Sequence, residues 1–127
     1  MDSTRIEKKL LKLANKVLRN AYVPWSGHRV GAAVLTKSGR YFLGCNIESA
    51  FYPTNPPGIC AERVAISSAY SAGDQEIVAI AIVGETTEPI KPCTVCRKVI
   101  KELAPNCTII CSNLKGDICV FSNDTFS

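Results

Sequence analysis

The run "EIVAIAIVGE", from Glu76 to Glu85, constrains the fold more than any other stretch of this chain. A strand with one face in water alternates apolar and polar side chains, whereas a strand covered on both faces reads as a continuous apolar run. Residues 77–83 do not alternate. The sheet that contains them must therefore be covered on both sides, and helices are the natural cover. A second run of this kind, "CTIICSN", begins at Cys107, and "ICVFS" after the turn "LKGD" reads as a further strand.

The remaining stretches supply the helices. Ser3 or Thr4 can cap a helix that continues to about Asn20, with Ile6, Leu10, Leu13 and Val17 recurring on one face. Pro24 and Gly27 break it. From Val30, "VGAAVLTKSGRYFLGCNIE" holds two strand-like runs around "KSG", which predicts a β-hairpin. The proline-rich loop "SAFYPTNPPG" leads to a second helix, predicted from about Cys60 to Ala72 and stopped at Gly73. A third is predicted from near Cys93 to a stop before Pro105. The order helix, two strands, helix, strand, helix, strand, strand predicts an α/β fold: a three-layer α/β/α sandwich with a mixed sheet of about five strands. Residues 1–127 read as a single domain.

Composition bears on the cysteines. No apolar run approaches the roughly 20 residues that cross a bilayer. The first residues, "MDSTRIEKKLLKLANK", lack the apolar centre of a signal peptide. The expectation is a cytoplasmic protein with no membrane contact, where thiols stay reduced, and an odd total of seven cysteines cannot pair off completely within one chain. Free thiols or metal ligands remain. The net charge of +4 comes largely from the first helix, whose lysines and Arg19 lie away from its apolar face. No basic and aromatic tract beyond that helix suggests a nucleic-acid partner.

Three cysteines separate from the rest. Cys60 opens the second helix, and Cys93 and Cys96 form a Cys-x-x-Cys pair opening the third. In a crossover topology the two helix N-termini can meet at one sheet edge, where N–H groups and helix dipoles favour thiolates. Zinc suits such ligands, and three protein ligands leave a fourth tetrahedral position open for water. Cys45 or His28 could close the site through the fold and make it purely structural. Glu62, two residues beyond Cys60, can project toward the open position and move protons between water and substrate nitrogens, or merely complement the helix dipole. Zn²⁺ with three thiolates carries a net charge of about −1 and is a weak Lewis acid. Arg63, or alternatively Arg97, can withdraw that excess charge by bonding the sulfurs. Asn46 and Glu48 alternate onto one side of a strand end, where they can reach one ligand.

"CAE" followed by "PCTVC" resembles the signature of the zinc-dependent nucleoside and nucleobase deaminases. "VGAAVLTKSGRYFLGCNIESAFYP" and "GICAERVAI" are similar to the cytidine deaminase family, in its short-chain, homotetrameric branch, and the resemblance runs from the first helix to about Gly116. It implies a cytidine deaminase-like fold and one Zn²⁺ per chain on Cys60, Cys93 and Cys96. It also implies Glu62 as the proton shuttle for hydrolysis at C4 of cytosine in pyrimidine salvage. Asn46 and Glu48 would bind the ribose hydroxyls, and the Ala61 backbone would contact the base. Ala50 and Tyr52 would reach a neighbouring subunit's site in a homotetramer with shared active sites.

Three features depart from that pattern. His28 stands where the family usually has a phenylalanine that stacks on the pyrimidine. Thr54, Asn55, Pro56 and Pro57 lengthen the loop before Cys60, and the chain ends at "VFSNDTFS" without the usual aromatic tail, a place Phe126 could take. These leave a nucleoside analogue such as blasticidin S as an alternative substrate, and a noncatalytic zinc-stapled protein as an alternative from another class. Cys45, Cys107, Cys111 and Cys119 read as buried structural thiols. Trp25, Tyr22 and Phe51 either line the site or pack.

Overall fold

A computed structural model describes residues 3–51 and 58–122. The expectations placed on Tyr52, on Thr54 to Pro57 and on Phe126 lie outside the described residues. In chain order the elements are α1 (Ser3–Val17), a 3-10 turn (Leu18–Asn20), β1 (Val30–Thr36), β2 (Tyr41–Cys45), α2 (Ala61–Ser71), β3 (Ile77–Gly84), α3 (Thr94–Leu103), β4 (Thr108–Asn113) and β5 (Ile118–Ser122). The sheet order is β2-β1-β3-β4-β5, with β3 and β4 parallel and the other neighbouring pairs antiparallel.

The unbroken apolar character of β3 has the expected cause. On one face Ala79, Ala81 and Val83 join Ala33, Leu35 and Ile110 beneath Leu10, Ala14 and Leu18 of the first helical segment. On the other, Ile80 and Ile82 join Val34, Ile109 and Cys111 against Ala65, Ile66 and Ala69 of α2 and Ile100 of α3. Each successive side chain therefore enters a different core, and the period-two pattern vanishes because both faces need apolar groups. The result is the three-layer arrangement, α1 on one side and α2 with α3 on the other.

The chain meets its layers at very short range in two places. A Cβ at Gly31 would fall 2.0 Å from the Ala14 carbonyl oxygen, so α1 packs directly on the β1 backbone. A Cβ at Gly44 would fall 2.5 Å from the Ala65 nitrogen and 2.6 Å from the Ala61 oxygen, so the first turn of α2 rests on the β2 backbone. That second approach fixes the height of α2, the helix that carries Glu62, over the sheet.

Two features of the cysteine reading change. Cys107 and Cys111 are buried, but Cys45 is half-buried and Cys119 is exposed. Cys119 lies on β5, an edge strand that pairs with β4 alone and whose residues are largely exposed. An apolar run there does not imply a covered strand.

Candidate active site

Both helices that carry the three singled-out cysteines begin at them. Cys60 is the N-cap of α2 and Cys93 the N-cap of α3, each in an extended conformation, and the Cys93 sulfur accepts from the Cys96 N–H at 3.4 Å. Because α2 leads into β3 and α3 leads from β3 into the parallel strand β4, both N-termini face the same sheet edge. The ligand atoms of Cys60, Cys93 and Cys96 lie within 4.8 Å of one another, and this trio is the metal-capable cluster among the described residues. Neither Cys45 nor His28 joins it.

The trio fits zinc. Zn–S bonds of about 2.3 Å in tetrahedral geometry separate sulfurs by about 3.8 Å. The Cys60 and Cys93 sulfurs are 3.6 Å apart. Arg63 Nη2 donates to the Cys60 sulfur at 3.6 Å, and its Nε is buried with no hydrogen-bond partner among the described residues. A cation so placed suits a thiolate centre of excess negative charge. Arg97 turns its Nε to the Pro92 carbonyl at 3.0 Å.

The electrostatics follow from burial and proximity. Hydrogen bonding from the Cys96 thiol draws Cys60 well below the ordinary thiol range against the cost of burial, with Arg63 and Cys93 adding to the effect. The same bond, with burial, pushes Cys96 up. Glu62 is 4% exposed. Burial raises its carboxyl to about 7, and the neighbouring Cys60 thiolate adds to the rise.

A cavity of about 230 Å³ opens beside these groups, lined by four chain segments. The helix starts contribute Cys60, Ala61, Glu62 and Cys93, and the strand end contributes Asn46 and Glu48. Ser26, His28 and Val30 come from the entry to β1, and Ile90 and Lys91 from the approach to α3. Ile47 draws the segments together: it bridges Tyr22 on one side and Ile59 on the other. A wider groove along α2, lined by Ile47, Ile59, Val64, Ser67, Ser68, Ser71 and Ala72, has no titratable or metal-binding side chain in its lining.

Asn46 and Glu48 also hold the cavity wall. Asn46 Oδ1 accepts from the Val30 N–H at 2.9 Å and its Nδ2 donates to the His28 carbonyl at 3.0 Å. Glu48 Oε1 accepts from the N–H groups of Trp25 and Ser26 at 3.0 and 2.9 Å.

Of the expected site residues, Cys60, Ala61, Glu62, Cys93, Asn46, Glu48 and His28 line this cavity, while Cys96 stands within the cysteine trio and Arg63 against the Cys60 sulfur. Ala50 is exposed and outside the lining of this cavity. Tyr22, Trp25 and Phe51 neither line it nor pack in the core, being 58%, 55% and 97% exposed. Sequence reasoning missed Ser26, Val30, Ile90 and Lys91. Closeness to His28 and to the Cys-x-x-Cys pair was the one available signal.

Residues 4–112 match the family described as the cytidine and deoxycytidylate deaminase zinc-binding region. The chain is 48% identical over 111 residues to a cytidine deaminase of Halalkalibacterium halodurans, covering 86% of this chain and 81% of the relative. It is 43% identical over 113 residues to one from Sporosarcina psychrophila, covering 87% and 80%. Among solved structures, that of cytidine deaminase from Burkholderia pseudomallei superposes with a TM-score of 0.87 at 41% identity, covering 94% of each chain.

Proposed function

This chain belongs to the cytidine deaminase family, and from that premise we propose that it hydrolyses cytidine and deoxycytidine at C4, releasing ammonia and leaving uridine or deoxyuridine. One observation carries the reading: the three-cysteine cluster, through Cys60 and Cys93, and Glu62 line a cavity that also presents Asn46 and Glu48. Cys60, Cys93 and Cys96 hold zinc, which when bound supplies the Lewis acidity that makes water a competent nucleophile at neutral pH.

The chain's own groups account for the rest. A Glu62 carboxylate oxygen takes one proton from the attacking water and passes it to N3 of the pyrimidine as the C4–O bond forms, then takes the second proton from the hydroxyl on C4 and passes it to the amino group, which leaves as ammonia as the C4–N bond breaks. The burial of Glu62 in the cavity beside the cysteines places it to exchange protons with both water and base. Arg63 draws charge from the Cys60 thiolate, so that the cysteine cluster does not quench the electrophile it holds. The Ala61 backbone and the His28 ring contact the base. Asn46 and Glu48 bind the ribose hydroxyls, and a pocket built to bond hydroxyls rejects ligands that lack them.

Ala50 and Tyr52 serve a neighbouring subunit's site in a homotetramer, a reading supported by the exposed aromatic side chains of Tyr22, Trp25 and Phe51. We place this single-domain enzyme in the cytoplasm and in pyrimidine salvage. All seven cysteines are free, which suits a compartment that keeps thiols reduced.

The test is turnover of cytidine and blasticidin S in parallel by purified chain of recorded zinc content. Uridine should accumulate as cytidine absorbance falls. Deamination of blasticidin S with cytidine untouched would overturn the reading.

A further inference from the structure

The wall segment 25–30 is tied at three points, and two of the ties belong to the proposed ribose-binding residues: Glu48 takes the Trp25 and Ser26 N–H groups, and Asn46 takes Val30 and gives to His28. The third tie comes from elsewhere in the chain. Glu85, just beyond β3, accepts the Arg29 N–H through Oε1 at 3.0 Å and grips the Arg29 guanidinium through both oxygens, at 3.1 Å from Nε and 2.8 Å from Nη2. Its own N–H donates to the Arg29 carbonyl at 3.1 Å. Four bonds thus converge on one residue, and that residue stands between the two that Asn46 reads.

We propose that Glu85 is a positioning residue for nucleoside binding: by clamping Arg29 it fixes the backbone of His28 and Val30, and through them the side-chain amide of Asn46. This rests on the cytidine deaminase reading above. The clamp touches neither the reacting atoms nor the metal cluster. A partly exposed ion pair adds little to global stability, and the Arg29 and Glu85 side chains are 43% and 25% exposed. Its effect is local, because the bidentate grip and the two backbone bonds together leave residue 29 one orientation. Glu62 and the cysteines sit at the starts of α2 and α3, and none of the clamp's four bonds reaches either helix. Loss of the clamp therefore weakens substrate binding and spares the chemical step.

Glu85→Gln conserves size, so it keeps the fold and one backbone acceptor while losing the charge-assisted grip. In the zinc-loaded protein it should raise KM for cytidine about two- to fivefold, the scale of one partly exposed ion pair, with kcat and zinc content at wild-type values. Hydrogen exchange should quicken at the amides of Ser26, Arg29 and Val30 but not along α2. Arg29→Gln should do the same, and the double variant should be no worse than either single one. Unchanged KM and exchange in Glu85→Gln would overturn the proposal, as would additive effects or a fall of kcat and zinc content in step with the rise in KM. If wild-type chain leaves cytidine unchanged, the proposed activity falls. The exchange pattern in the variants then upholds or overturns the clamp alone.

Discussion

Replacing Gly44 with alanine tests whether the sheet sets the position of the catalytic helix. The added Cβ would meet the Ala65 nitrogen at 2.5 Å, the Ala61 oxygen at 2.6 Å and the Val64 Cβ at 2.8 Å. Two of these are backbone atoms, so no rotamer change relieves them. Non-bonded carbon contacts are optimal near 3.5–4.0 Å, and α2 must retreat by about 1 Å. Overpacking of this kind costs about 1–3 kcal/mol, which at about 4 °C per kcal/mol lowers Tm by about 4–12 °C. The retreat also carries Cys60, Ala61 and Glu62 away from α3 and from the cavity wall. A misplacement of about 1 Å at a reacting group can cost about 100-fold in rate. Thermal unfolding, zinc stoichiometry and steady-state kinetics on Gly44→Ala measure all three effects. Wild-type Tm together with wild-type kcat/KM would refute the argument that the β2 backbone sets the height of α2.

Glu62→Gln should keep zinc and fold while turnover falls by at least about 100-fold; near-wild-type activity would remove Glu62 from proton transfer, and a noncatalytic zinc protein would have no turnover to lose. Burial pushes the Glu48 carboxyl up, but the Ser26 hydroxyl and the N–H groups of Ser26 and Trp25 outweigh it and hold the group below its ordinary value. Its folded pKa lies below the unfolded one, so its contribution is complete above the unfolded carboxylate value of about 4.3 and is lost as pH falls through the folded value. Chemical denaturation of wild type and Glu48→Gln should show a stability gap that is constant near neutrality and closes in acid; a gap that widens in acid contradicts the assignment. In zinc-loaded native protein iodoacetamide should modify Cys119 first, since it is exposed, whereas Cys107 and Cys111 are buried with thiols pushed up to about 12 and should react only on unfolding. Mass spectrometry after a short pulse reads the order, and early labelling of Cys111 would contradict it.

What could be read in the sequence was what neighbouring residues determine together. The continuous apolar run of β3 reported two covered faces because each face needs its own apolar set, and the helix starts at Cys60 and Cys93 followed from local spacing. Cys119 was misjudged for the same reason that β3 was read correctly: an apolar run looks alike in a central strand and at an edge, and only the sheet order separates them. The cavity wall was less legible still. Alternation put Asn46 and Glu48 on one side of the strand end, but did not show the sequence separations of 16 positions from Val30 to Asn46 and of 56 from Arg29 to Glu85 that the fold closes to hydrogen-bond distance. Those closures give Asn46 and Glu48 two tasks at once, holding the wall and facing the ligand. A substitution at either position therefore cannot be read as the loss of a substrate contact alone. Glu85, which holds the wall without lining the cavity, is the position at which the two tasks come apart.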